Sequence, residues 1–167
     1  MRLWFHRLAL QVYRRMPTRM RRMAVRRVTP SFTVGAMCVI ERQDGRVLLI
    51  RHLYRKRWGV PGGLLQRQET ATDAARREVY EEVGLDVELL GEPIVNVDAR
   101  PRRVDIVFRA RPVDDERADD AHPCSVEVIE VRWFDPTDLP ELQFETAQAI
   151  QALARASYAP PARPLPA

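Results

Sequence analysis

The first 28 residues carry Trp4, Phe5, Leu8, Val12 and Met16 at three- and four-residue spacing, with arginines between them. That is a helical period. Pro17 interrupts it, because proline removes an amide donor and crowds the preceding turn. From Phe32 the texture changes. Residues 33–41 (TVGAMCVIE) form a nearly unbroken apolar strand, Asp44-Gly45 is a hairpin signal, and residues 47–50 (VLLI) are the return strand. Residues 58–60 predict a short strand stopped by Pro61, with Gly62-Gly63 as a tight turn. Residues 70–83 predict a helix. Thr70 caps its start with Asp73 in the capping-box position, and Gly84 stops it. Residues 87–90 and 94–97 are strand segments around Gly91-Glu92-Pro93. Residues 104–110 predict a largely buried strand, 112–123 a polar loop, and 126–134 a strand with one wet face. Residues 141–156 predict a last helix with Phe144, Ala147, Ile150 and Leu153 inward. Short strands with one central and one terminal helix predict a mixed α/β class. The prolines at 160, 161, 164 and 166 predict a disordered tail. The organisation expected is a basic leader (1–30), a folded domain (31–157) and a tail (158–167).

Composition narrows this picture. A chain of 167 residues, 46% hydrophobic and 30% charged, is long and apolar enough for one core. No run of 18 apolar residues occurs, so no transmembrane helix is expected. Cys38 and Cys124 are far apart without CxxC spacing, so neither a disulfide framework nor a cysteine metal site is readable. A reducing cytoplasm is the simplest setting. The net charge of +4 is unevenly spread: residues 1–30 hold nine arginines and no acid, leaving the remainder at −5. The basic character, which elsewhere suggests nucleic acid or anionic membrane, therefore belongs to the leader alone. A mildly acidic domain suits a cation-dependent enzyme better than a duplex binder. The leader reads either as a helix packed on the domain or as a membrane-surface helix, with Trp and Phe at the interface and Arg facing headgroups. Its lack of serine argues against a transit peptide.

The chemistry concentrates in residues 63–85, GLLQRQETATDAARREVYEEVGL. Glu78, Glu81 and Glu82 stand at i, i+3 and i+4, within an arc of roughly 100° on one helix face. Like charges so placed destabilise an isolated helix. Two readings remain open: a solvated acidic face, or a site for a divalent cation that prefers oxygen ligands. Ala71, Ala74 and Ala75 lie upstream on the same side and are read as leaving room beside the carboxylates. The glycines at 62 and 63 let backbone approach a phosphate or metal. Arg77 and Glu69 make either a surface ion pair or a brace between loop and helix.

The same segment resembles the Nudix box, GX₅EX₇REUXEEXGU with U a bulky aliphatic residue. Gly63, Glu69, Arg77-Glu78, Val79, Glu81-Glu82, Gly84 and Leu85 occupy every specified position. The flanks, Trp58-Gly59-Val60-Pro61-Gly62-Gly63 and Glu130-Val131-Arg132-Trp133-Phe134, are similar to Nudix domains too, so the likeness spans about residues 32–156. It implies an α/β/α sandwich with a mixed sheet, and a Mg²⁺- or Mn²⁺-dependent hydrolase of phosphoanhydrides. Glu78, Glu81 and Glu82 would hold the metal, one of them doubling as general base. Arg77 and Glu69 would orient the site, and the Gly62 carbonyl would be a further ligand. Glu127 aligns loosely with a metal-binding glutamate outside the box, with Asp119 or Asp120 as alternatives. The implied reaction is a nucleoside diphosphate linked to X, plus water, giving nucleoside monophosphate and phosphate-X. A nucleoside-triphosphate pyrophosphatase and a catalytically silent binding module are the alternatives. An alkaline activity optimum is expected.

The box does not name X. Pro101, 16 residues beyond Leu85, is weak support for ADP-ribose. The patterns SQPWPFP and LLTxRSA, associated with NADH and coenzyme A, are absent. Arg51, Arg55 and Arg57, with Gly63, are candidate substrate-phosphate contacts; the alternative is a solvated basic loop. Arg100, Arg102 and Arg103 are equally open. A small-molecule nucleotide is the expected partner, an anionic membrane surface an additional one through residues 1–28.

Overall fold

The computed structural model describes residues 13–158. The helical stripe at Trp4, Phe5, Leu8 and Val12, and the proline-rich tail beyond Tyr158, lie outside the described residues. The chain divides into two compact units at Phe32. In the first, α1 (Thr18–Val28) starts directly after Pro17. Its end is tied down by Thr29, whose backbone N–H and Oγ1 both donate to the Val25 carbonyl. Met20, Met23 and Val25 are exposed between arginines. Among the described residues no helix is long and apolar enough to cross a membrane.

The second unit contains β1 (Thr33–Ile40), β2 (Val47–His52), β3 (Gly62–Leu64), α2 (Ala71–Val83), β4 (Val87–Asp98), β5 (Arg103–Pro112), β6 (Val128–Phe134) and α3 (Phe144–Tyr158). One sheet has the order β3-β1-β5-β4, with β1 and β5 parallel and the outer pairs antiparallel. The other is the antiparallel pair β2-β6. Alternation along β1 explains its apolar run. Ala36, Cys38 and Ile40 share a core with Ala74, Ala75, Val79 and Val83 of α2. Met37 and Val39 share the opposite core with Ala149 and Leu153 of α3. A strand covered on both faces has no wet position. The result is the α/β/α arrangement with a mixed sheet.

Four local expectations are corrected. The Asp44-Gly45 turn forms, with Gly45 at φ +85°, but it opens a hairpin of one bridge only, Glu41 with Val47. Beyond it β2 leaves for β6, and its adjacent residues Leu48 and Leu49, both fully buried, belong to different core layers. Gly62-Gly63 is not a turn: both pair with β1, opposite Met37 and Ala36. Strand β4 runs unbroken through Gly91-Glu92-Pro93, absorbing them as a register shift between Leu90 and Ile94. Phe144 is 63% exposed; Leu153 is inward as expected and Ile150 packs partly against the same core, while Thr146 and Ala149 are the further buried positions of α3.

The two thiols differ sharply. Cys38 is fully buried, and burial pushes its pKa up to about 12, with Arg76 opposing weakly. Cys124 is exposed, its Sγ 3.4 Å from His122 Nε2. Since the thiolate is the nucleophile, a chromogenic disulfide reagent is expected to titrate one thiol in native protein and two in denaturant. Two fast thiols in the native state would contradict this packing.

Candidate active site

Helix α2 carries the acidic residues, and local chemistry sets its register. Thr70 Oγ1 accepts the Asp73 N–H at 3.2 Å and donates to the Asp73 carboxylate at 2.7 Å. Gly84 closes the helix in the left-handed conformation, φ +71°. Ala74, Ala75, Val79 and Val83 are fully buried against the sheet. The two alanines therefore fill the core rather than leave space, contrary to the reading from spacing. With that face fixed, the glutamates fall along one edge of the helix. The side chains of Glu82 and Glu78 are 10% and 16% exposed, that of Glu81 54%.

Arg77 binds them together. Its Nε and Nη2 grip both oxygens of Glu69, at 2.7 and 3.0 Å. Its Nη1 donates to Glu78 at 2.8 Å and to Glu81 at 3.0 Å, and Nη2 reaches the Leu64 carbonyl at 3.3 Å. Glu69 also accepts the Gln66 N–H at 2.8 Å. The pair thus braces the loop after β3 against the helix. The Arg77 hydrogen bonds, then the Gln66 amide, hold Glu69 below the usual carboxylate range, and Glu69 first among three glutamates holds Arg77 protonated. Burial pushes Glu78 up; Arg77 pulls it back, and Glu82 and Glu81 add to the rise.

Glu82 is held from the sheet side. Its Oε2 accepts the Gly62 N–H at 2.9 Å, and its Oε1 lies 3.2 Å from His52 Nε2. Gly63 packs on Glu78 so closely that a Cβ there would stand 2.4–2.8 Å from the carboxyl group. Both glycines are needed for backbone and carboxylates to share this space.

The donor set suits a divalent cation. The three carboxylates are hard oxygen ligands of the kind Mg²⁺ and Mn²⁺ prefer. Among the described residues no three ligand-type side chains are drawn together around one point, since the Arg77 guanidinium lies between Glu78 and Glu81. A positive charge already bridges two of the acids, so a cation held by all three would have to displace the Arg77 Nη1 contacts.

A smaller cavity adjoins this edge, and a larger one adjoins the smaller. One of about 200 Å³ is lined by His52, Tyr54, Arg55, Gly62, Gly63 and Arg103, among others. A second of about 720 Å³ lies over β4, β5 and α3, lined by Asn96, Pro101, Arg103, Asp105, Phe144 and Arg155, among others. Arg103 and Glu145 line both.

The structure brings Glu69, Arg77, Glu78, Glu81, Glu82, Gly62 and Gly63 to one place. Arg55 faces the smaller cavity, 3.7 Å from Glu145. Glu127 accepts a hydrogen bond from Tyr54, 2.9 Å, at that cavity's rim. Others lie elsewhere. Arg51 pairs with Glu130 and stacks over Trp58. Arg57 pairs with Glu141 at the surface. Asp119 pairs with Arg42 and Asp120 with Arg117. Sequence reasoning passed over Tyr54, Gln143 and Glu145, and His52 stands between the arginines of the basic run at residues 51–57. No spacing rule joins them to the box, because β2 and α3 meet it only through the tertiary fold.

The family model of the NUDIX domain matches residues 31–155. A MutT-like protein of Streptomyces ambofaciens is 33% identical over 118 residues, covering 70% of this chain and 72% of its own. The 8-oxo-dGDP phosphatase of Homo sapiens is 32% identical over 108 residues; these are 62% of this chain but only 32% of the human protein. The crystal structure of an ADP-ribose pyrophosphatase from Streptococcus suis superposes with a TM-score of 0.60 at 25% identity, covering 76% of this chain and 92% of that one. With the carboxylate edge, its arginine brace and the glycine strand in place, the chain belongs to the Nudix family, as a hydrolase of phosphoanhydride bonds.

Proposed function

We propose that this hydrolase cleaves nucleoside diphosphates linked to a second moiety, of the ADP-ribose or nucleotide-sugar type, with Mg²⁺ or Mn²⁺ held by Glu78, Glu81 and Glu82. The observation that carries the reading is a pair of cavities that meet at Arg103 and Glu145, the smaller of them lined by Gly62 and Gly63, which lie against Glu82 and Glu78. A substrate with a group on each side of its anhydride needs room on both sides of the reacting phosphorus. Similarity to an ADP-ribose pyrophosphatase agrees with it.

The metal, when bound, supplies charge neutralisation on the phosphate oxygens and an acidified water. The chain supplies geometry. The Arg77–Glu69 brace fixes the helix edge, and Gly62 N–H with His52 fixes Glu82. We take Glu81, the most exposed of the three at 54%, as the base that accepts the proton of the attacking water. One P–O bond forms to the water oxygen and the bridging P–O bond breaks, releasing monophosphate and phosphate-X.

The likeness to an 8-oxo-dGDP phosphatase favours a second reading, in which the nucleotide carries no second moiety. A substrate panel with Mg²⁺ and with Mn²⁺ separates the two. Monophosphate release from ADP-ribose or nucleotide sugars is expected. Turnover of free nucleoside di- or triphosphates alone, with linked diphosphates untouched, would replace the first reading by the second.

A further inference from the structure

Resting on the reading of a diphosphate substrate, we infer that Arg103, anchored by Asp105, is a phosphate-binding residue at the neck between the two cavities. Arg103 opens β5, and its Nε donates to Asp105 Oδ1 at 2.7 Å, two residues along the same strand face. Asp105 is 8% exposed, so its charge is sheltered and needs this partner. Among the described residues Nη1 and Nη2 of Arg103 have no hydrogen-bond partner. The planar fork is thus held at one nitrogen and presents its remaining donors to the cavities.

Its position is built, not incidental. Gly35 of β1 pairs with Asp105 across the parallel ladder. A Cβ at Gly35 would stand 2.9 Å from Asp105 Oδ1, 3.3 Å from Arg103 Nη2 and 3.2 Å from the Gly63 carbonyl. The missing side chain lets the guanidinium lie beside the first glycine of the box, whose other side carries the Glu78 carboxylate. A diphosphate reaching from the carboxylate edge into the larger cavity passes this guanidinium. Glu145, the acid that also lines both cavities, lies 3.7 Å from Arg55, so the acid bound to Arg103 is Asp105. Arginine suits such a place because its donors match two phosphate oxygens at once.

The test uses the full chain and inorganic pyrophosphate with Mg²⁺ as probe, followed by calorimetric titration. Arg103→Met is expected to weaken pyrophosphate binding about tenfold or more, and Arg103→Lys to recover part of it. Asp105→Asn, which frees the fork, is expected to weaken it less. Mn²⁺ affinity in the absence of phosphate should stay within twofold in all three, which a general structural defect would not allow. Pyrophosphate affinity unchanged in Arg103→Met, or lost together with Mn²⁺ affinity, overturns the assignment; so does a wild-type chain that binds no pyrophosphate. The readout is independent of the substrate panel. If linked diphosphates prove not to be substrates while Arg103 still governs pyrophosphate binding, only the proposed substrate class falls.

Discussion

A chain carrying Glu81→Gln and Glu82→Gln is expected to lose metal-dependent turnover by a factor of about 10²–10⁴, the range supplied by a positioned acid–base group, while its melting temperature holds or rises. The two halves of that expectation come from the same geometry. Glu78, Glu81 and Glu82 crowd one helix edge, and removing two negative charges relieves their mutual repulsion. Glutamine keeps the shape at position 82, where its carbonyl oxygen still accepts the Gly62 N–H in place of the carboxylate's Oε2. It cannot neutralise a divalent ion. Activity and stability should therefore move in opposite directions. Turnover assays at saturating Mg²⁺, with a thermal melt on the same samples, check both. Retention of more than a tenth of the activity would remove the acidic edge from the mechanism.

The second large effect separates neighbouring glycines. At Gly62 a methyl group would meet the Ala36 carbonyl oxygen at 2.4 Å and Met37 Cα at 2.9 Å, and the backbone φ is +155°. Backbone cannot step aside as a side chain does. Gly62→Ala is expected to cost about 1–3 kcal/mol in crowding and a comparable amount in strain, seen as a lowered denaturation midpoint. At Gly63 the obstacle is the end of the Glu78 side chain, 2.4–2.8 Å away, which can rotate. Gly63→Ala should melt near the wild-type temperature yet lose about 10²-fold in turnover, the usual effect of displacing a reacting group by about 1 Å. Equal melting temperatures for both variants, or equal activities, would mean that β3 does not approach β1 and α2 as described.

What was legible in the chain divides by range. The start and stop of α2 rest on contacts within one turn, Thr70 with Asp73 and Gly84 with Tyr80, and both were readable. The Arg77–Glu69 brace was readable as an alternative, since a loop of that length can fold back. The role of the glycine strand was not, because its reason lies in Ala36 and Glu78, far away in sequence. Nor was the separation of β2 from β1: an apolar run does not say which strand covers it. Phe144 misled because an aromatic at helical spacing usually points inward, whereas here it begins α3 at the rim of the larger cavity. His52 lay inside a basic stretch whose arginines drew attention, yet strand alternation turns His52 toward Glu82 and Arg51 toward Glu130.

The guanidinium of Arg77 gives the fold a resident counter-ion. It touches Glu69, Glu78 and Glu81 at once, so the acidic ridge is partly neutralised before any solute arrives. The repulsion along the ridge is thus offset from within the polypeptide, and the helix edge keeps its form without borrowing a charge from solution.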